Sequence, residues 1–406
     1  MKLRIFSVAS IKERTKRSLI NLLKKRVISE YSEHLHAPAS GRALLSYLVL
    51  PLLPPPALRD TTKFSNRGIA QEIPRVLNEL GYIVDIVNYD NTSWLPKKHY
   101  DLFIGHAGIN FKRLSNNLSP DAKRIYFSTG LYWKEGNLRQ AQRLSDVASR
   151  RHCLFPPERF ITFDEEDANE SADLIICLGN QRVRDSYARF SRVININNAI
   201  FPIEFDRHET KDFDAGRKHF LYFSGRGNVH KGLDLLLESF VDTDLHLHIC
   251  QHMQNEFIGL YKKELTEEPN IHVHGFVKMR SRQFEDLVLR CNWLVSATCA
   301  EGQPGAVLEG MAHGLIPMLT DAANIDVENL GIRMQSTKIE DIRSLIYHAS
   351  QIDTESCRSM AKRCLKEARK TYSVENFRNS LRQAISQVSA TNIVREDRRE
   401  GRVEYD

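Results

Sequence analysis

The sequence predicts an α/β fold in which two Rossmann-like domains follow one another, with a cleft between them. The chain has 406 residues, more than one hydrophobic core usually serves. Short apolar runs alternate with amphipathic helical patterns over residues 43–202, and the alternation restarts at residue 219. Residues 205–218 are highly charged and have no apolar period, so we expect an inter-domain linker there.

These patterns divide the chain into six segments. A basic, helical N-terminal extension covers residues 1–40. The two Rossmann-like domains cover residues 41–204 and 219–373, on either side of the linker. Residues 374–390 are predicted to form a C-terminal helix that could cross back to the first domain. The last segment, residues 391–406, has almost no apolar side chains and is predicted to be a disordered tail.

Composition indicates a cytoplasmic globular protein. The net charge of +6 comes from 57 basic and 51 acidic side chains, which is too small an excess to predict a nucleic acid partner. Seven scattered cysteines without a CxxC pair indicate reduced thiols. The best apolar run, residues 43–50, stops at Pro51, far short of the roughly 20 residues that a membrane helix needs. The first thirty residues also lack the apolar core of a signal peptide.

The N-terminal extension is basic and amphipathic. Its first thirty residues carry nine lysines and arginines against two glutamates, so this segment alone accounts for the net charge. A helix over residues 11–28 would place Leu19, Leu22, Leu23 and Val27 on one face. One interpretation is attachment to an anionic membrane surface, on the cytoplasmic face, or to an acidic partner. The other is a helix packed on the protein's own surface.

The first domain is predicted to begin with a strand at residues 43–50. A helix follows and ends at Gly81; Pro74 within it predicts either a kink or a start just before the proline. Strands and helices then alternate as expected for a parallel sheet covered on both faces. The predicted strands are residues 82–89, 101–108, 124–130, 174–180 and 193–198.

The second domain repeats this alternation. Its predicted strands are residues 219–223, 245–250, 271–276, 291–296 and 315–320, and its predicted helices are residues 233–240, 255–265, 283–290, the stretch after Pro304, 339–351 and 357–372.

Two carboxylates follow the strand at residues 291–296. Glu301 lies in a glycine-bearing loop, and Glu309 lies about a turn into the next helix. Loops that leave the carboxyl ends of parallel strands line the ligand crevice. Carboxylates accept hydrogen bonds from hydroxyls, and the amides of a helix N-terminus attract anions. This combination suits a sugar nucleotide.

Two cations follow the first strand of the second domain. Arg226 and Lys231 lie beside glycines in the segment FSGRGNVHKG, where a ligand can approach the backbone closely. Such a pair could neutralise a diphosphate. The segment fails the P-loop and dinucleotide patterns, because His230 stands where each requires glycine, and the P-loop also requires serine or threonine where Gly232 stands. The alternative is a tight turn with solvated cations.

Taken in order, Arg226 and Lys231, then Glu301 and Glu309 with seven residues between them, resemble the retaining glycosyltransferases of family 4 (glycosyl transferases group 1), which have the GT-B fold. The resemblance covers residues 220–385 well. In the first domain it rests on strand order and on the turn at residues 197–199. It implies a donor domain at residues 219–373 and an acceptor domain at residues 41–204.

The resemblance also implies a role for each site residue. Glu309 would hold the ribose hydroxyls of the nucleotide, Glu301 would contact the donor sugar, and Arg226 and Lys231 would stabilise the diphosphate leaving group. His106, after a strand of the first domain, matches a histidine that often lies near the sugar and the acceptor, although a histidine at a strand end is as often structural. Further donor contacts would come from Gly225, Gly302, Gln303, Pro304, Gly305 and Ala306.

The resemblance therefore implies a retaining glycosyltransferase that uses no metal and no cofactor. Its partners would be a nucleotide diphosphate sugar and a glycan, a lipid-linked or a small-molecule acceptor. The alternative is a non-catalytic GT-B scaffold that binds a partner or a glycan.

Two metal-dependent alternatives are disfavoured. The Asp-x-Asp pairs at residues 212–214 and 242–244 fall in connections and are interpreted as turns. Alternating histidines on two strands, His246, His248, His272 and His274, would bind a metal only if they converged.

Overall fold

The computed structural model describes residues 18–54, 66–203 and 208–389. They fall into two compact units. The first takes in residues up to 128, residues 163–176 and residues from 378 onward; the second takes in residues 129–162 and 177–377. Each unit is an α/β structure with a largely parallel sheet, which confirms the predicted fold class. The exact domain boundaries predicted above stay predictions, and the predicted tail lies outside the described residues.

Thirteen strands are present in the described residues: β1 Val27–Tyr31, β2 Gly41–Tyr47, β3 Tyr82–Asn88, β4 Leu102–Gly105, β5 Lys123–Ser128, β6 Leu174–Leu178, β7 Val193–Ile196, β8 His219–Phe223, β9 His246–Cys250, β10 Ile271–Val273, β11 Trp293–Ser296, β12 Ile316–Thr320 and β13 Ile332–Met334.

Besides residues 18–24, the described residues contain the helices α1 Asn66–Glu79, α2 Gly108–Ser115, α3 Trp133–Arg151, α4 Glu166–Ser171, α5 Gln181–Ser186, α6 Leu233–Phe240, α7 Asn255–Leu260, α8 Lys262–Thr266, α9 Arg282–Arg290, α10 Gly305–Ala312, α11 Ile339–Ser350, α12 Thr354–Thr371 and α13 Val374–Ser389. None of the helices in these ranges is long and apolar enough to cross a membrane.

The first sheet has the order β1-β3-β2-β4-β5-β6-β7. Strands β3, β2, β4 and β5 pair in parallel, as predicted. The strand order reverses between β2 and β4, which places His106, directly after β4, at the carboxyl edge of a topological switch point. Helix α1 continues through Pro74, so the predicted alternative of a start just before the proline is wrong.

The N-terminal extension differs from its prediction. Residues 18–24 are helical, and residues 11–17 of the predicted helix lie outside the described residues. The prediction is wrong at its C-terminal end, because Val27 and Ile28 lie in β1, paired antiparallel with β3. Both side chains are β-branched, which favours a half-buried edge strand over a further helical turn. Leu19 and Leu22 are 55% and 65% exposed.

The second sheet is parallel throughout, in the order β10-β9-β8-β11-β12-β13. Its four central strands, β9, β8, β11 and β12, are buried on both faces. Phe220 and Tyr222 of β8 belong to one apolar cluster, and Leu221 between them belongs to the other. Because both faces are covered, only the strand ends and their loops remain to bind a ligand.

Five histidines form a ladder on the second sheet: His219, His246, His248, His272 and His274. Nδ1 of His219 lies 3.0 Å from Nε2 of His248, whose Nδ1 lies 3.0 Å from Nε2 of His274. His246 and His272 form a third such pair at 3.0 Å. In each pair one nitrogen donates and the other accepts, so neutral rings fit the ladder. No group of three or more His, Cys, Asp or Glu side chains in the described ranges could hold a metal ion.

The ladder should make the protein acid-sensitive. Burial, reinforced by the neighbouring histidines, lowers the pKa of His219 to about 4 and that of His248 to about 2. Below the ordinary histidine pKa of about 6.5, the unfolded chain binds protons that the folded ladder does not accept until more acidic pH. The free energy of unfolding should therefore fall as the pH drops from about 6.5 to about 4.

Urea unfolding of the wild type and of His248→Gln across this range measures the effect, and the variant should lose less stability on acidification. The control is His348→Gln, at an exposed position of α11, which should follow the wild type. An identical acid dependence for all three proteins would contradict the expectation.

Candidate active site

The strand order of the second sheet reverses between β8 and β11. These strands pair in parallel, with Trp293 opposite Phe220 and Leu294 opposite Leu221. Their carboxyl ends therefore lie at the same edge of the sheet. The loops that follow them, the β8 loop (residues 224–232) and the β11 loop (residues 297–304), meet there. Such a switch point is where open α/β sheets bind ligands.

Lys231 and Glu301 join the two loops. Nζ of Lys231 forms an ion pair with Oε1 of Glu301, and both side chains are about nine-tenths buried. Nε2 of His230 donates to the same oxygen at 3.1 Å. Thr298, near the start of the β11 loop, adds a hydroxyl 3.4 Å from it. The structure thus brings together two predicted residues, and His230, predicted only as a departure from the P-loop, is part of the same cluster.

The cluster keeps Glu301 ionised. Burial opposes the charged carboxylate, but Lys231, His230 and Arg159 outweigh burial and hold the pKa of Glu301 well below its ordinary value. Burial lowers the pKa of Lys231, while Glu301 works in the opposite direction. Burial also lowers the pKa of His230. The arrangement therefore presents a carboxylate whose charge is compensated by a neighbouring ammonium group.

Glu309 forms a second ion pair, with Arg280. Glu309 is 2% exposed, and its carboxylate accepts hydrogen bonds from Nε and Nη2 of the guanidinium, the latter at 3.2 Å. Arg280 also donates to the carbonyl oxygens of Pro202 and Phe201, at 2.6 and 2.8 Å. The carboxylate is thus fixed in place in the second turn of α10. Arg280 was missed because it lies among other basic residues after β10, and nothing in the sequence links it to α10.

The start of α10 is held by Gln303. Its side chain accepts from the amide of Asn198 at 2.8 Å and donates to Asn197 at 2.9 Å. Gly302 lies so close to the carbonyl oxygen of Thr129 that a Cβ there would be 2.4 Å away. Pro304 precedes α10, and its carbonyl oxygen accepts from the amides of Val307 and Leu308, whereas the amides of Gly305 and Ala306 have no acceptor within the helix. This terminus could bind a sugar or phosphate oxygen.

The other predicted residues take no part in these two ion pairs. Gly225 and Arg226 are exposed in the β8 loop, and the carbonyl oxygen of Arg226 accepts from Arg159 at 3.4 Å. His106 belongs to the first unit, where its Nδ1 donates to the carbonyl oxygen of Phe127 at 2.9 Å. Burial lowers the pKa of His106. A neutral ring that donates through Nδ1 has Nε2 as an acceptor. The roles of these residues stay predictions.

Residues 218–346 match the family model described as Glycosyl transferases group 1. This segment therefore resembles the group 1 glycosyltransferases. The matched segment contains both ion pairs and Arg226, and the resemblance to this family is confirmed. A comparison with curated protein sequences gives no match.

Solved structures resemble most of the chain in fold. TarM from S. aureus, as a mutant in complex with Fondaparinux, alpha-GlcNAc-glycerol and UDP, aligns with a TM-score of 0.51 and 15% identity over 71% of this chain and 55% of its own. Sucrose-phosphate synthase from Thermosynechococcus elongatus aligns with a TM-score of 0.60 and 13% identity over 86% of this chain and 100% of its own. The chain thus matches about half the length of TarM. Because the sequence identities are this low, the similarity shows the fold alone, and it confirms the predicted GT-B fold.

Removal of Glu309 should destabilise the second unit. Glu309→Ala leaves the half-buried Arg280 without its carboxylate, and breaking a buried ion pair on one side costs about 3–5 kcal/mol. Glu309→Gln keeps an acceptor oxygen and should cost less. Urea unfolding gives the free energies, with Glu328→Ala, an exposed loop position, as the control. Equal stability of Glu309→Ala and the control would show that the pair adds nothing to the fold.

Proposed function

We propose that the chain is a retaining, metal-independent glycosyltransferase that moves a sugar from a nucleotide diphosphate sugar to a glycan, a lipid-linked or a small-molecule acceptor. The observation that carries the proposal is the Lys231–Glu301 ion pair, at the switch point of a domain that matches the group 1 glycosyltransferases. Charge, hydroxyl acceptors and open helix amides occur together there, as a sugar nucleotide requires.

The donor would be placed by the two carboxylates. Glu309, fixed by Arg280, accepts hydrogen bonds from the ribose hydroxyls. Glu301 accepts from hydroxyls of the donor sugar, and Gly302 to Ala306 supply backbone contacts to sugar and phosphate. Arg226 is exposed in the β8 loop beside Gly225 and approaches the diphosphate from outside. No resident cofactor takes part.

The reaction would proceed on one face of the sugar. The bond from the anomeric carbon to the diphosphate breaks, and its electron pair stays on the phosphate oxygen. The acceptor oxygen forms the new bond from the same face, so the configuration is kept, and its proton passes to the departing phosphate oxygen. Lys231 and Arg226 neutralise the charge that develops on that oxygen. His106, with Nε2 as an acceptor, would orient a hydroxyl group.

A screen of the purified chain against sugar nucleotides tests the proposal. UDP-sugars come first, because the related TarM structure contains UDP. Donor hydrolysis or transfer identifies the base and the sugar, and addition of a chelator tests metal independence. The alternative, a non-catalytic scaffold, is favoured if no nucleotide diphosphate raises the melting temperature, since a ligand that binds only the folded state stabilises it.

Arg226→Gln should impair catalysis without affecting the fold. The side chain is exposed, so the melting temperature should stay unchanged, whereas loss of one charged group at the leaving oxygen should lower kcat about 100-fold or more. The control is Arg358→Gln on α12, also exposed, whose guanidinium lies 5.2 Å from the ring of Phe213, ahead of the amino end of β8. Turnover of both variants at the wild-type rate would contradict the role of Arg226.

We also propose that the chain works in the cytoplasm and associates with anionic membrane surfaces through the basic helix. Its described part exposes Leu19 and Leu22. Replacing both by Gln should reduce co-sedimentation with vesicles of anionic lipid at low salt, because insertion needs an apolar face. Leu138→Gln, at a 69% exposed position of α3, is the matched control. If all three proteins bind these vesicles equally, the helix is not the attachment site.

A further inference from the structure

The connection that follows α3 lies against the β8 loop. Glu158 binds the backbone of this loop with both carboxylate oxygens: Oε1 accepts from the amide of Asn228 at 2.5 Å and Oε2 from the amide of His230 at 2.9 Å. Burial raises the pKa of Glu158, against the lowering effect of these amides. The loop that carries Arg226 and Lys231 is therefore held by a residue about seventy positions earlier in the chain.

The next residue, Arg159, lies along the same loop. Its amide is held by Oε1 of Gln140 at 2.9 Å, and its side chain covers Gly227. Gly227 has φ +101°, and a Cβ there would lie 3.0 Å from Cδ of Arg159. A side chain at position 227 would thus be strained and would displace the arginine. Nη1 of Arg159 donates to the carbonyl oxygen of Arg226 at 3.4 Å, while the residue as a whole stays exposed.

The guanidinium of Arg159 therefore lies beside the charged cluster of Lys231, Glu301 and His230. Its guanidinium contributes to the lowered pKa values of Glu301, Lys231 and His230. Lys231 already forms an ion pair with Glu301, so it neutralises a diphosphate only in part, and Arg226 is the exposed cation of this loop. A diphosphate carries at least two negative charges, so a second uncompensated cation at this loop completes the balance.

We propose that Arg159 is a donor-binding residue, which contacts the diphosphate of the sugar nucleotide together with Arg226. The inference rests on the proposed function. A guanidinium group suits this task because its planar donors match two phosphate oxygens at once. Gln140 holds the amide of Arg159, and Glu158 holds the loop that carries Arg226, so both guanidinium groups are positioned with little loss of freedom on binding.

The test compares nucleotide affinities of the wild type, Arg159→Gln, Arg159→Lys and the control Arg358→Gln. Calorimetry is run with UDP, GDP and ADP and with the matching monophosphates. For the base that the wild type binds, Arg159→Gln should weaken the diphosphate about 10- to 100-fold and the monophosphate much less, because a charged hydrogen bond is lost only at the second phosphate. Arg159→Lys should recover part of the loss, and Arg358→Gln should bind like the wild type.

Three results would overturn the proposal. Equal diphosphate affinity for Arg159→Gln and the wild type would remove Arg159 from the site while leaving the proposed function intact. An equal loss for both phosphate forms, together with a lower melting temperature, would make Arg159 a structural clamp of the loop. A wild type that binds no nucleotide and hydrolyses no donor would reject the proposed function itself, and this inference with it.

Discussion

A buried lysine and a buried glutamate can both stay charged only while they remain together, because each alone would be stripped of water without a partner. Lys231 and Glu301 come from different loops, seventy residues apart. Their contact depends on the parallel pairing of β8 with β11, which brings the two loops to one edge of the sheet. A shift of either strand would separate the charges, so the register of the sheet and the electrostatics of the site depend on each other.

The second ion pair is built differently. Arg280 has φ +56°, an uncommon conformation for a residue with a side chain, and its guanidinium is held by two carbonyl oxygens as well as by Glu309. Some N–H groups of Arg280 donate to these carbonyl oxygens and not to Glu309. Arg280 therefore orients the carboxylate of Glu309 without neutralising its charge completely. A carboxylate held on one side by a rigid fork can still offer lone pairs to hydroxyl groups on the other side.

Much of this arrangement could be predicted from the sequence, because it follows from local patterns. The alternation of strands and helices predicted the sheets, and the positions of Arg226, Lys231, Glu301 and Glu309 relative to those strands predicted which loops carry charge. Arg280, Glu158 and Arg159 could not be predicted in the same way. Their partners are distant in sequence, and each lies in an irregular connection without a motif. The edge strand β1 was missed for a related reason, since its identity depends on pairing with β3.

His230 shows why the β8 loop departs from the P-loop pattern. A P-loop has glycine at this position so that the backbone can surround a phosphate. Here the amide of His230 is bound by Glu158 and its ring by Glu301, so the residue links the loop to both carboxylates. The next departure has a steric cause: Gly232 has φ +79°, and a Cβ would lie 2.2 Å from the carbonyl oxygen of Ala297. Serine or threonine does not fit there. Both departures from the P-loop pattern, His230 and Gly232, thus lie where the β8 loop meets the β11 loop.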